Sequence, residues 1–592
     1  MDDSLTKIID EFITLKANEG QNKILPLREA IQRYIKPGMT IHLGTAGLLP
    51  TAAIYELTRL FYGQNPNFTL ISLGLTTIHS PLIYAGLVRK TITTYLGDAY
   101  PSPSPNPVFQ KAYQEGHLEI EHWSLLSLVQ RLQAGAMGLE FFPTRSLIGS
   151  SMAKNNQDDF LLPQGPFSED KQCGLLRFLN PDISIYHGLA ADPQGNTLIA
   201  PPYAENIYGG LASKRGVIVT VEKIVTTELI RKYARLARLP GYKVLSVSEV
   251  PWGAHPGGCH AYGLEFLESY AIDHPFILEL RRAGRSEKDL NNWMKEWILE
   301  WAAREDYLQK LGQIRLDNLK AKAQPEFWKK DLASILSAIQ FTDPANSLER
   351  MVVAAGRKIS RLLREKNYKT ILAGIGASHL AAWLANYLLR SAGVEVDLMA
   401  EIGFFGYLPR PADPYIFNFT NIPTCKMLTD IPEILGLFTG GYNSACLGVL
   451  SAAQVDRFGN LNSTIIPPQF LITGSGGAND VASNAAETLV VLPHGPFRLV
   501  PQVPYITAPG KKIKTLVTTL GVFEKLGGEE FFLTGIILDG KSAPAEIMAQ
   551  LKEKTPWEFK IAPSIENFPL PTATELMLLR LFDPQKFFLT EE

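Results

Sequence analysis

Residues 369–403 read KTILAGIGASHLAAWLANYLLRSAGVEVDLMAEIG, and this stretch decides the fold class. From Ile371 to Leu389 it is largely apolar and about as long as a membrane span. Gly374, Gly376, Ser378, His379 and Asn386 interrupt it. The better reading is a buried strand from Thr370, a glycine turn, and a helix carrying Ala381, Ala382 and Leu384. A second apolar strand, Val394–Ala400, follows and ends at Glu401 and Gly403. Strand, turn, helix and strand in that order form the unit of an open α/β sheet.

The same order occurs near the start of the chain. Lys36-Pro37-Gly38-Met39-Thr40 leads into a strand, then Gly44-Thr45-Ala46-Gly47, then a helix with Ala52, Ala53 and Leu57. The strand Leu70-Ile71-Ser72-Leu73-Gly74 answers Leu398–Gly403, and Asp192-Pro193-Gln194-Gly195-Asn196 answers Asp456-Arg457-Phe458-Gly459-Asn460. Three matches in one order predict two related open α/β domains in tandem, over 1–258 and 346–592. Between them, 259–345 reads as a helical bridge, with Trp293, Trp297 and Trp301 spaced to share one helix face that docks on a domain. A cleft is expected where the two domains meet.

Composition narrows the function. The chain has 592 residues, 46% hydrophobic and 20% charged, a globular balance too long for one core. Lys plus Arg number 57 and Asp plus Glu 59, for a net charge of -2, so no global charge favours nucleic acid or an anionic membrane. Cys173, Cys259, Cys425 and Cys446 are too few and too scattered for a disulfide framework. Met1-Asp2-Asp3-Ser4 lacks the apolar core of a signal peptide. A soluble, cytoplasmic protein is expected.

The glycine turns suggest anion or oxyanion chemistry, because small residues after a strand let backbone N–H groups approach a ligand. Gly374-Ile375-Gly376 continues as Ala377-Ser378-His379, so no complete G-x-G-x-x-G is present, and no P-loop or G-x-S-x-G elbow occurs. The richest cluster is Gly474-Ser475-Gly476-Gly477-Ala478-Asn479-Asp480 after Phe470–Thr473. His255, Cys259 and His260 lack a second ligand pair, so no metal site is expected. Glu401 lies at the C-terminal end of a strand, where open α/β sheets bind ligands. There it could serve as general base, metal ligand or covalent nucleophile, or stand as a solvated strand-end residue. Gly403 and Gly406 would keep space beside it, while Phe404 and Phe405 could exclude water and hint at a bulky acyl group.

In these motifs the chain resembles a family I coenzyme A-transferase of the glutaconate CoA-transferase branch, with the family's two subunits fused into one chain. The first block carries Gly44–Pro50, Arg131–Gly138, Ala191–Asn196 and Pro251–Pro256 and resembles one of them; the second carries Glu401-Ile402-Gly403, Ala452–Thr464 and Gly474–Asp480 and resembles the other. The resemblance implies an acyl-CoA:carboxylate CoA-transferase with Glu401 as the nucleophile and a glutamyl-CoA thioester as intermediate. It implies oxyanion and acyl-pocket roles for Gly476, Gly477, Gln454 and Ser72, and CoA contacts at Gly474, Ser475, Gly44 and Gly47 in the groove between the halves. The CoA thioester is then a co-substrate, with no tightly bound cofactor and no metal. The partners are acyl-CoA and small carboxylic acids, with neither nucleic acid nor membrane, and by analogy the chain forms a homo-oligomer.

Many relatives read Ser-Glu-Asn-Gly at the nucleophile, whereas here Ala400-Glu401-Ile402-Gly403 stands, away from the ketoacid and acetate branches. Arg89, Arg145, Arg410 and Arg498 are candidates to clamp a substrate carboxylate. The rival enzymatic reading is a CoA-thioester or ring-opening hydrolase, against which Glu401 argues. A ligand-sensing role lacks the expected basic helix-turn-helix.

Overall fold

A computed structural model describes residues 3–45, 48–165, 172–261, 263–301 and 303–591. Its first half builds a nine-stranded sheet. Seven strands form the parallel core: β1 (Thr40–Leu43), β2 (Phe68–Leu75), β3 (Val88–Leu96), β4 (Glu119–His122), β5 (Ile183–Ala191), β6 (Val217–Ile224) and β7 (Val244–Glu249). They lie in the order β7-β6-β5-β1-β2-β3-β4. Helix α1 (Leu125–Met137) follows β4 and is capped by the Ser124 hydroxyl. All nine residues of β5 are buried, as expected of a central parallel strand covered on both faces.

The second half begins with β8 (Thr370–Ala373), α2 (Ala377–Ser391), β9 (Asp397–Ala400) and the short β10 (Phe404–Phe405). It continues through β11 (Cys446–Leu450), helix α3 (Ala478–Asn484), β12 (Glu487–Val491) and β13 (Ile513–Val517). The span-length stretch from Ile371 is therefore strand, glycine turn and helix. Its parallel strands run β9-β8-β11-β12-β13 inside a ten-stranded sheet. That order repeats β2-β1-β5-β6-β7 of the first half, strand for strand in chain order.

The duplication extends to side chains. Asp192 Oδ1 accepts the Gly195 and Asn196 amides, both at 2.9 Å; Asp456 Oδ1 accepts those of Phe458 and Asn460 at 3.0 and 2.9 Å. Asn196 Oδ1 then accepts the Gly241 amide at 2.9 Å, and Asn460 Oδ1 the Gly510 amide at 2.8 Å. A lysine closes each turn: Lys23 Nζ donates to the Gly241 carbonyl at 2.7 Å, and Lys525 Nζ to the Gly510 carbonyl at 2.8 Å. Both aspartates are fully buried, so these hydrogen bonds satisfy charges that would otherwise be costly there.

The segment between the halves is helical and packs on the first sheet. Phe276, Trp293 and Trp297 join Ile41, Leu43 and Tyr55 in one core, with Phe276 edge-on to Trp297 at 4.8 Å. The three tryptophans do not share one helix face. Helix Glu287–Met294 widens into a π turn over Lys295–Leu299 and stops, leaving Trp301 beyond it, bonded through its indole N–H to the Glu296 carbonyl at 2.6 Å. The two halves share another core, in which Ile71, Trp123, Leu125 and Leu126 meet Leu372, Met399, Ile431 and Val481. Among the described residues no helix is long and apolar enough to cross a membrane.

Candidate active site

Glu401 occupies the turn between β9 and β10, which pair as a tight hairpin with Ala400 opposite Phe404. The Gly403 amide donates to the Ala400 carbonyl at 3.1 Å and closes the turn. Gly403 has φ +125°, and a Cβ there would lie 2.1 Å from the Thr429 carbonyl oxygen. Only glycine fits, since both the dihedral and the backbone neighbour forbid a side chain. Gly403→Ala is expected to cost about 3 kcal/mol or more of unfolding free energy, read from urea titration. A loss below about 1 kcal/mol would mean that the hairpin relaxes freely.

The first half supports this turn from below. Ala204 donates its amide to the Ile402 carbonyl at 3.1 Å, Tyr203 donates to Thr429 at 2.7 Å, and Asn206 Nδ2 bonds Asp430 at 3.0 Å. Glu401 is half-buried, and its carboxylate faces the Gly474–Gly477 cluster. The Gly477 amide donates to Glu401 Oε2 at 3.1 Å. A Cβ on Gly477 would sit 2.2 Å from that oxygen, and one on Gly476 would sit 3.9 Å from Oε1. Burial pushes the Glu401 carboxyl up to about 7; the nearby Asp480 carboxylate adds to this, and the Gly477 N–H opposes it.

The Gly474–Gly477 turn is held by the first half. Gly474 pairs with Tyr95 at the end of β3 with φ +120°, and a Cβ would lie 2.5 Å from the Thr94 carbonyl oxygen. Gly476 donates its amide to that same Thr94 carbonyl at 2.9 Å and accepts the Leu125 amide at 3.0 Å. Ser475 Oγ accepts the Asn479 amide at 3.3 Å. These bonds leave the Gly477 N–H as the donor facing Glu401.

The other expected site residues make their contacts elsewhere. Gln454 is buried, and its Oε1 accepts from Asn462 Nδ2 at 2.9 Å. Ser72 is buried in β2 opposite Thr93, with its hydroxyl toward the Gly74 carbonyl at 3.3 Å. Neither hydrogen-bonds Glu401. Gly44 leaves room for the Tyr186 ring, which a Cβ would meet at 2.3 Å, and beside it the Thr45 amide donates to buried Glu205 at 2.9 Å. Gly47 lies outside the described residues.

Of the arginines, Arg89 lies at the far end of β3 on the Gly116 carbonyl, Arg145 binds the Gly440 carbonyl, and Arg410 stacks over Trp328. Neither these nor Arg498 forms an ion pair with Glu401. His255 spends both ring nitrogens on Tyr307 (2.7 Å) and Asp273 (3.0 Å), and among the described residues no cluster suits a metal ion. Phe404 is fully buried and edge-on to Tyr407, so it packs the core instead of lining a pocket.

Tyr415 was not singled out by sequence. Its hydroxyl is held protonated by burial, with the Asp413 and Glu401 charges adding to the effect. It packs edge-on to Tyr100 of the first half at 5.7 Å, and Tyr100 stacks at 3.6 Å on His274 of the bridge. All three regions of the chain thus contribute to one aromatic cluster.

The family model described as Coenzyme A transferase matches residues 25–249. One of the two subunits of 3-oxoadipate CoA-transferase from Pseudomonas knackmussii is 30% identical over 280 residues, covering 47% of this chain and 93% of its own length. The chain belongs to the coenzyme A transferase family. The other subunit of the same enzyme is 29% identical over 255 residues, covering 40% of this transferase and 92% of its own length. One chain thus carries counterparts of both. From Acidaminococcus fermentans, one subunit of glutaconate CoA-transferase is 28% identical over 315 residues, covering 50% of this transferase and 95% of its own length. An acyl-CoA transferase from Escherichia coli O157:H7, solved as a thioester complex with CoA, matches over 95% of this chain and 96% of its own at a TM-score of 0.64. At 16% identity, that likeness concerns the fold.

Proposed function

We propose that this transferase moves CoA from a donor thioester to an acceptor carboxylic acid through a glutamyl-CoA thioester on Glu401. The observation that carries the reading is the carboxylate of half-buried Glu401 at the seam of the halves, 3.1 Å from the Gly477 amide. A Glu401 oxygen attacks the thioester carbonyl of the donor, the C–S bond breaks, and CoA thiolate leaves a mixed anhydride. The thiolate attacks the glutamyl carbonyl and expels the donor carboxylate. The acceptor carboxylate then attacks the glutamyl thioester carbonyl and expels CoA thiolate, leaving a second mixed anhydride; the thiolate attacks the acceptor carbonyl of that anhydride, which forms the product thioester and frees the Glu401 carboxylate. Thioester free energy is conserved, so no nucleotide is consumed.

The surroundings suit each demand. A carboxylate is a weak nucleophile and gains from exclusion of water and a fixed position. The Gly477 N–H is a preorganised donor for an oxyanion that develops next to Glu401. Incubation with acyl-CoA and no acceptor is expected to leave a CoA adduct on the peptide holding Glu401, read by mass. Free CoA accumulating with no adduct would replace this reading with a hydrolase.

Attack requires ionised Glu401, and its raised pKa means that the reactive form is lost as pH falls through about 7. kcat/KM for the donor is therefore expected to rise about tenfold per pH unit below that point and level off above it. A flat profile from about pH 5 to 8 would contradict the assignment of Glu401.

A further inference from the structure

We propose that Asp480 is a positioning residue for Glu401: it fastens the glycine turn that faces the nucleophile to the first half of the chain. The inference rests on the reading of Glu401 as nucleophile.

Asp480 is fully buried in α3, three residues after Gly477. Its Oδ1 accepts the Ser124 hydroxyl at 2.6 Å, and its Oδ2 accepts the Leu126 amide at 3.0 Å, in the first turn of α1. Beside Asp480, Asn479 Oδ1 accepts the Leu147 amide at 2.8 Å, and Leu125 donates to the Gly476 carbonyl at 3.0 Å. Every one of these bonds crosses the seam. The Gly476–Gly477 turn is therefore anchored by residues that do not touch the reacting atoms. Among the described residues no cation neutralises Asp480, although a buried carboxylate normally requires one. Burial pushes the Asp480 carboxyl up to about 6, so a charge held there comes at a cost that needs a reason.

The reason is proximity to Glu401. The Glu401 carboxyl feels the Asp480 charge from α3, which disfavours its ionisation, and the Gly477 N–H, which favours it, while its own charge acts on the Tyr415 hydroxyl. A less stabilised carboxylate is a more basic and more reactive nucleophile once ionised. The clasp and the charge are separable. In Asp480→Asn, the amide oxygen still accepts the Leu126 N–H and the amide nitrogen donates to Ser124 Oγ, so the clasp is kept and the charge is lost. Asp480→Ala loses both.

The test compares wild type, Asp480→Asn and Asp480→Ala for donor kcat and KM, pH profile and CoA adduct on Glu401. Asp480→Asn should move the acid limb of kcat/KM to lower pH. Asp480→Ala should lower kcat about 30-fold, with Asp480→Asn recovering a large part of that loss. Donor KM should stay within about twofold, because Asp480 touches no substrate. An Asp480→Asn acid limb that coincides with wild type, or an Asp480→Ala kcat equal to wild type, overturns the proposal and leaves the nucleophile intact. Absence of a CoA adduct on Glu401 in the wild type overturns the parent reading and this proposal with it.

Discussion

Glu401→Ala is expected to lower transfer by about ten-thousand-fold or more while the protein stays folded. The side chain is the atom source of the first bond, and the nearby carboxylate of Asp480 cannot replace it, being turned into the clasp with Ser124 and Leu126. Folding should survive because, among the described residues, Glu401 makes a single side-chain hydrogen bond, to the Gly477 amide, and no ion pair. Its ionisation is disfavoured by burial, so its removal relieves a cost. Glu401→Gln sharpens the test. The glutamine oxygen still accepts from Gly477, but an amide does not displace CoA thiolate, so Gln should be as inactive as Ala. Turnover and peptide mass decide: wild-type rates in either variant would remove Glu401 from the reaction path.

Gly477→Ala is expected to lower kcat by about a hundredfold or more with little change in melting temperature. Gly477 has φ −85°, which alanine adopts without strain. The conflict is local, because the new methyl would stand 2.2 Å from Glu401 Oε2. The flexible carboxylate yields before the backbone does, so the cost falls on catalytic geometry more than on folding. It also separates Glu401 from its donor N–H. Donor KM should change far less than kcat, since the distance at fault lies between nucleophile and oxyanion donor. A Gly477→Ala enzyme with wild-type kcat would show that this amide takes no part in the reaction.

Much of the architecture was legible because it is written locally. The glycines at 374 and 376 broke an apolar run that composition alone would assign to a membrane, and the structure has a strand, a turn and a helix there. The Asp192–Asn196 and Asp456–Asn460 matches pointed to a duplicated unit, and in both turns the asparagine amide closes on the aspartate carboxylate. The tryptophan stripe misled, because a π turn ends the helix before Trp301. Phe404 and Phe405 read as residues that exclude water beside Glu401 and hint at a bulky acyl group, yet Phe404 lies in the core. Its burial follows from the tight hairpin, which turns that ring into the core.

The sequence by itself determined that two similar α/β sheets exist, that Glu401 directly follows a strand, and that Gly474–Gly477 forms a glycine turn. Strand periodicity, glycine turns and Asx turns are short-range properties, carried by residues a few positions apart. The tertiary structure alone decided which amide meets the carboxylate, and that Asp480, Tyr415 and Thr94 shape its surroundings. The Gly477 contact joins residues 76 positions apart, and the Ser124 contact to Asp480 joins residues 356 apart. Such pairs form only when two separately patterned halves dock, and docking depends on the three-dimensional fit of buried surfaces that no local pattern encodes.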